Sequence, residues 1–194
     1  MSQEPLVKVK AESAAEVCAH FDLTRESRAL LREAMPPREL IGAFLKNKHY
    51  LAAIDFMAHA LPAREAIWWG CLCLQHACGD RLSQSEKAAG KAAVQWIFEP
   101  TEEKRVAAKT PAELAGPVSP AGALASAAHQ AEDGPSGAAF ASAKAVAGAV
   151  KLASSKVDAI KIVDTQRLFV ELGIEVAKGR FGWPATRNKV PICK

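Results

Sequence analysis

The sequence predicts an all-α protein, a multi-helix bundle of short antiparallel helices around a central apolar helix at about residues 61–79. Three observations carry this expectation. Apolar residues recur at three- and four-residue spacing along most of the chain, which is the period of one helix face. Proline, serine, threonine and glycine fall at the ends of those stretches, where helices start and stop. Ala66 to Leu74 is an unbroken apolar run, and a helix that is apolar all round is buried on every side. The run is far shorter than the roughly 20 residues of a membrane span, so a core helix is expected and no membrane partner.

Composition sets the frame. With 194 residues, 49% of them apolar, the chain is long enough for one domain with a sizeable core. Alanine supplies much of that fraction and aromatics only 6%, so helices are expected to pack closely around few large anchors. The formal charge is +4, with basic and acidic residues interspersed and no basic run of five or more. A nucleic-acid footprint would cluster its charge on one face or one helix, so no nucleic-acid partner is expected. Residues 1–10 are polar and lack the apolar stretch of a signal peptide, which leads to a cytoplasmic expectation. Five cysteines, three of them in one predicted helix, suggest thiols in a reducing compartment rather than a disulfide framework.

The elements follow in order. Residues 1–10 read as an extended arm, with Val7 and Val9 at strand spacing. Ala11 to Phe21 reads as a helix with Ala14, Val17, Cys18 and Phe21 on one face. Leu23-Thr24 offers a turn and a cap for a second helix, Arg25 to Ala34, with Ala29, Leu30 and Leu31 inward. Pro36 disfavours helical dihedrals at Met35 and stops it. Pro37 opens the next helix, with Leu40, Ile41, Phe44 and Leu45 as its stripe. Lys46-Asn47-Lys48 is a polar break, and Tyr50 to Leu61 follows with Leu51, Ile54, Met57, Ala58 and Leu61 at helical spacing. Pro62 then opens the central helix at a position where a missing N–H costs nothing, and Gly79 closes it.

Ser83-Gln84-Ser85-Glu86 is a capping box and opens a helix to about Phe98 that buries Ala89, Ala93, Trp96 and Ile97. Thr101 caps a short helix whose Glu102 and Glu103 suit the positive end of the dipole. Thr110 repeats the cap logic for one or two turns ending at Gly116. The segment 117–137 shifts to Ala, Gly, Ser and Pro; Ser119-Pro120 caps a helix to about Glu132, and Asp133–Gly137 reads as a loop. Ala138 to Ser154 reads as a helix carrying Phe140, Val146, Ala147, Val150 and Leu152. Val157 to Val163 is ambiguous, with a short strand as the lesser alternative. Asp164 or Thr165 caps a last helix through Lys178 that buries Leu168, Phe169, Leu172 and Val176. Gly179 ends it, and Phe181 and Trp183 are expected to fold back as aromatic plugs. The domain is thus expected to span residues 11–183, with residues 184–194 as a loose tail.

Core packing competes with chemistry at each reactive residue. Cys71, Cys73, His76 and Cys78 are good zinc ligands by type. On a helix, however, Cys71 and Cys73 point about 200° apart, so one ion cannot collect them unless the helix breaks. No metal is expected, since free cysteine is also among the most buried residue types. A cysteine nucleophile needs a thiolate beside a histidine and an orienting polar group, and the spacing of His76, His59 and His49 fixes no such geometry. Arg64-Glu65, in the first turn beside Trp68-Trp69, is the better functional-looking group. Glu65 suits a helix N-terminus, and Arg64 is suited to stack on an indole or clamp a carboxylate. An intramolecular bridge between two helices is favoured over a ligand site. Glycine-rich phosphate loops and His-Glu-x2-His are absent, and Glu102-Glu103 reads as a solvated first turn.

The stretch from Tyr50 to Trp69, with Leu61-Pro62-Ala63-Arg64-Glu65-Ala66-Ile67-Trp68-Trp69 running into Cys71-Leu72-Cys73, resembles an uncharacterised bacterial helical family. Trp96 with Glu99-Pro100 and Arg105 fits the same pattern, as does Ala145 to Val150 followed by Phe169 to Gly179. The resemblance covers about residues 38–180. Pro117–Gly137 departs from the Pro-rich linker expected there. The family is associated with gene clusters of the contractile type VI secretion apparatus, among adaptors and spike-tip proteins. The resemblance implies a cytoplasmic accessory or adaptor role, and it brings no catalytic residue and no cofactor.

The expected function is therefore that of a non-enzymatic helical adaptor for a protein partner, an effector or spike component of such a system. Its structural motif is Leu61, Pro62, Arg64, Glu65, Trp68, Trp69, Cys71, Cys73 and Trp96. The alternatives are an immunity-type protein that blocks a toxin and an enzyme with a buried Cys/His centre. A partner is expected to dock on the Ala-rich helices after Gly116 and the loop Asp133–Gly137, unless those helices simply complete the bundle.

Overall fold

The computed structural model describes residues 4–131 and 137–184, with side chains from Phe140 onward in the second segment. The described residues form helices and connecting turns, with no strand among them. In chain order the helices are α1 (Ala14–Cys18), α2 (Arg25–Arg28), α3 (Pro37–Lys46), α4 (Tyr50–Ala60), α5 (Ala63–Cys78) and α6 (Gln84–Phe98). They continue as α7 (Glu102–Ala107), α8 (Lys109–Ala115), α9 (Pro120–Gln130), α10 (Gly137–Ser154) and α11 (Ile162–Ala177). Short 3-10 turns at Gly79–Arg81 and Ala159–Lys161 complete the set. No helix among the described residues is long and apolar enough to cross a membrane.

The all-α expectation holds, and α5 is the hub. It packs against α10, α9, α11 and α6, while α4 lies on α10 and α11. Ile67, Trp69, Cys73 and Leu74 on α5 have no exposed surface, as the apolar run required. Trp69 anchors α11. Its indole Nε1 donates to the Phe169 carbonyl at 2.8 Å, and its ring lies so close to Gly173 that a Cβ there would sit 3.1 Å from Cε2. The alanine-rich helices also close up tightly. A Cβ on Gly122 of α9 would lie 2.5 Å from the Gly116 carbonyl oxygen, so glycine sets how near α9 comes to the end of α8. Ala121, Leu124, Ala125, Ala127 and Ala128 of α9 are fully buried, as are Val146 and Val150 of α10. These inner faces complete the bundle.

Local signals explain most helix ends. Ser83 and Glu86 form the expected capping box, Thr24, Thr101 and Ser119 cap as expected, and Gly79 takes φ +51 at the end of α5. Pro62 is the N-cap of α5 rather than its first helical residue.

Several local expectations fail for identifiable reasons. Val7 and Val9 make no strand. The arm turns at Val7-Lys8, and Lys8 N–H donates to the Ala177 carbonyl at 2.9 Å; alternation without a partner strand leaves the ladder unmade. Helix α1 starts later than Ala11, because Ser13 and Glu16 form a second capping box. Helix α2 stops at Arg28, leaving Ala29 exposed and Ala34 at φ +52. Leu51 is 49% exposed, on the outer side of α4. Thr110 lies inside α8, which follows α7 almost without a break. Helix α11 begins at Ile162 with no side-chain cap, and Thr165 is buried within it. The ring of Phe181 stays 48% exposed. The expected end of α9 at Glu132, most of the Asp133–Gly137 loop and the tail from 185 lie outside the described residues.

Candidate functional site

The α4–α5 junction is both a structural knot and the floor of a cleft. The chain leaves α4 at Ala60, passes Leu61 and Pro62 in extended conformation and enters α5 at Ala63. Extended backbone at both residues is what proline and its predecessor favour. The first turn of α5 then projects its polar side chains toward segments far away in sequence. Glu65 accepts an ion pair from Lys8 Nζ at 3.0 Å. Arg64 donates from Nε and Nη2 to the Ile97 carbonyl at 3.0 and 2.6 Å, near the C-terminal end of α6, where a cation suits the dipole. The same guanidinium lies 4.5 Å from the centre of the Trp183 ring. One turn on, Trp68 Nε1 donates to the Phe181 carbonyl at 3.0 Å. Arg64, Glu65 and Trp68 thus fasten the N-terminal arm, α6 and the segment after α11 to one helix start.

Around this floor lies an open cleft of about 880 Å³. One wall is the arm, with Lys8 and Lys10. Trp96, Pro100, Glu102 and Arg105 also line it, as do His59, Phe140 and Ser142. Arg105 closes the far end through a clasp. Its Nε and Nη2 take both carboxylate oxygens of Glu102 at 2.7 and 2.8 Å, and Nη1 donates to the His129 carbonyl at 2.6 Å. Hydrogen bonding to Arg105 holds the exposed Glu102 carboxyl below the usual carboxylate range. Aromatic partners back two of the lining rings. His20 stacks on Phe140 with ring centres 3.9 Å apart, and His59 on Phe21 at 5.0 Å.

His59 is the titratable group most altered by this setting. Its Nδ1 lies 2.8 Å from the Asp55 carbonyl oxygen, so Nδ1–H donates there and the neutral ring keeps its proton on that nitrogen. Burial lowers its pKa from the ordinary 6.5, outweighing the opposing pull of the Asp55 carbonyl and carboxylate, while His20 and Lys151 push the same way as burial. The stability consequence has a definite sign. The unfolded chain binds the proton more readily, so the His59 contribution is complete above the unfolded value of about 6.5. It is lost as pH falls through the lower folded value. The melting temperature is expected to drop as pH falls from 7 toward 5, and His59→Gln, which keeps a donor but does not titrate, is expected to flatten that slope. An unchanged slope in thermal melts across the range would rule out this assignment.

The structure sorts the sequence-predicted motif into two groups. Leu61, Pro62, Arg64, Glu65 and Trp96 line the cleft. Trp68, Trp69, Cys71 and Cys73 sit in the core. Burial raises the Cys73 thiol well above its ordinary pKa, raises Cys78 as well, and pushes Cys18 up to about 11. These groups stay protonated thiols at neutral pH, a poor state for nucleophiles or metal ligands. Among the described residues no three of His, Cys, Asp and Glu are grouped to hold a metal ion.

Sequence reasoning placed Arg64 beside an indole but did not identify Trp183 as its partner, and it missed Lys8, Lys10 and Phe140 as cleft residues. The i, i+2 spacing of the two lysines carried no usable signal, because the arm turns at Val7-Lys8.

Residues 40–177 match a family model described as a family of unknown function, DUF6931, and the chain belongs to that family. The matched span holds the whole motif and the cleft floor, whereas Lys8, Lys10, Phe181 and Trp183 fall outside it. No curated protein and no solved structure matches the chain.

Proposed function

We propose that this chain is a non-enzymatic helical adaptor that binds a protein partner, an effector or spike component of a bacterial type VI secretion system, in the cytoplasm. The observation that carries the binding part is the open cleft over the α4–α5 junction, about 880 Å³ in volume. Its floor includes Ala58, Ala60, Ala63 and Ala66, small side chains that let another main chain come close. Its carboxylates Glu65 and Glu102 are each already paired within the protein, so neither is left to hold and orient a small molecule. The secretion context rests on the resemblance of residues 50–73 to proteins of those gene clusters.

An immunity role would favour an acidic concave surface against a toxin. This cleft carries Lys8, Lys10, Arg64 and Arg105 against two carboxylates, which counts against that alternative. A buried cysteine centre gains nothing from thiols that burial keeps protonated.

The test is capture in the native host. A tagged chain, cross-linked in cells and analysed by mass spectrometry, is expected to enrich an effector or spike protein over an untagged control. Enrichment of general chaperones alone, or of nothing, would refute the adaptor reading.

A further inference from the structure

We infer that the cleft takes an acidic peptide segment of the partner, seated over the α4–α5 junction between the arm and Arg105. This rests on the reading of the cleft as a partner-binding site and adds the chemistry of what binds there. Charge is the first ground. Among the described residues the lining holds four cations, Lys8, Lys10, Arg64 and Arg105, and two carboxylates, Glu65 and Glu102, a formal balance of +2. Both carboxylates are neutralised, by Lys8 at 3.0 Å and Arg105 at 2.7 Å. Among the described residues, Lys10 and Arg64 have no carboxylate in ion-pair reach; Arg64 has a carbonyl and an indole instead. Among the described residues the cleft lining therefore carries a net positive charge. His59 adds no charge above its lowered pKa.

Shape is the second ground. A floor of buried Ala58, Ala60 and Ala66 leaves room for a peptide backbone. Trp96 and Phe140 also line the cleft and give an aliphatic or aromatic side chain of the segment an apolar neighbour. The two cations with no carboxylate partner among the described residues, Lys10 on the arm and Arg64 at the start of α5, offer complementary charge to acidic side chains beside that anchor. Such complementarity governs encounter rate and choice of partner more than raw affinity. A nucleic acid would also meet positive charge, but it would draw on a larger and more continuous basic surface than two uncompensated cations supply.

The experiment uses the full chain and a random peptide display library. Enriched peptides are synthesised and titrated by fluorescence anisotropy against the wild type, Lys10→Glu and the distant control Lys46→Glu, with circular dichroism confirming that each folds. Lys10 is exposed, so its reversal leaves the core untouched.

The expected peptides are rich in Asp and Glu around an apolar residue. Lys10→Glu is expected to weaken them about fivefold or more, as does added salt, while Lys46→Glu leaves them unchanged. Neutral or basic peptides, acidic peptides indifferent to Lys10→Glu, or no enrichment would each overturn the inference. So would mixed-sequence single-stranded DNA that displaces the peptides at lower concentration.

Failure here is separable from failure of the adaptor reading. A host partner captured equally by wild type and Lys10→Glu leaves the adaptor standing and removes the acidic segment from the cleft.

Discussion

Trp69→Ala is expected to lower the unfolding free energy by about 3–5 kcal/mol, the usual cost of truncating a buried aromatic. Trp69 has no exposed surface, and its ring fills the space between α5 and α11 that Gly173 leaves open. Truncation would also remove the bond that the Phe169 carbonyl accepts from the indole at 2.8 Å, although that carbonyl keeps its helical partner inside α11. Trp69→Phe separates the two effects. It keeps most of the ring volume and loses the donor, so a smaller destabilisation is expected. Urea titrations of both variants measure this. A Trp69→Ala variant with the wild-type midpoint and slope would mean that the indole is not a core anchor.

Arg64→Ala is expected to cost about 2–4 kcal/mol. A charged donor bonded to a carbonyl contributes roughly 1.5–3 kcal/mol, and stacking on Trp183 adds about 0.5–1 kcal/mol for a partly exposed cation over an indole. Arg64→Lys should recover only a small part, because an ammonium cannot offer two N–H groups to the Ile97 carbonyl while lying flat on a ring. The Arg64→Ala and Trp183→Ala double-mutant cycle isolates the stacking. A coupling of about 0.5–1 kcal/mol is expected. Strict additivity would show that the tail does not rest on Arg64, and that this guanidinium serves α6 alone.

These two residues also show how much was legible in the sequence. The all-α class and the central helix followed from period and punctuation, because an apolar run bounded by proline and glycine has few other solutions. Trp69 could be assigned to the core for the same reason. Its partners could not, since nothing local in the sequence pairs Trp69 with Phe169, a hundred positions away. Arg64 was recognised as a bridging group, yet its acceptor is a main-chain carbonyl, which leaves no mark in the side-chain sequence. The caps at Ser83, Thr101 and Ser119 were readable because their mechanism is local.

Thr110 and Thr165 misled because cap chemistry is present wherever a threonine precedes a helical stretch, and tertiary packing decides whether it is used. Burial claimed Thr165. The cleft was the least legible feature. Its walls come from the arm, α4, α5, α6, α7 and α10, and only the floor is one continuous piece of sequence. The Ala-rich stretch after Gly116, read as a docking surface, turns its alanines into the core.

Hydrogen exchange on the chain alone and on the complex with its captured host partner tests the partner-binding cleft most directly. The account predicts protection gained in the arm around residues 8–11, across the α4–α5 junction at 58–66, and at 100–105. Protection confined to α2 and α3, or to the exposed Ile160 and Val163 where the chain enters α11, with residues 58–66 unchanged, would contradict it.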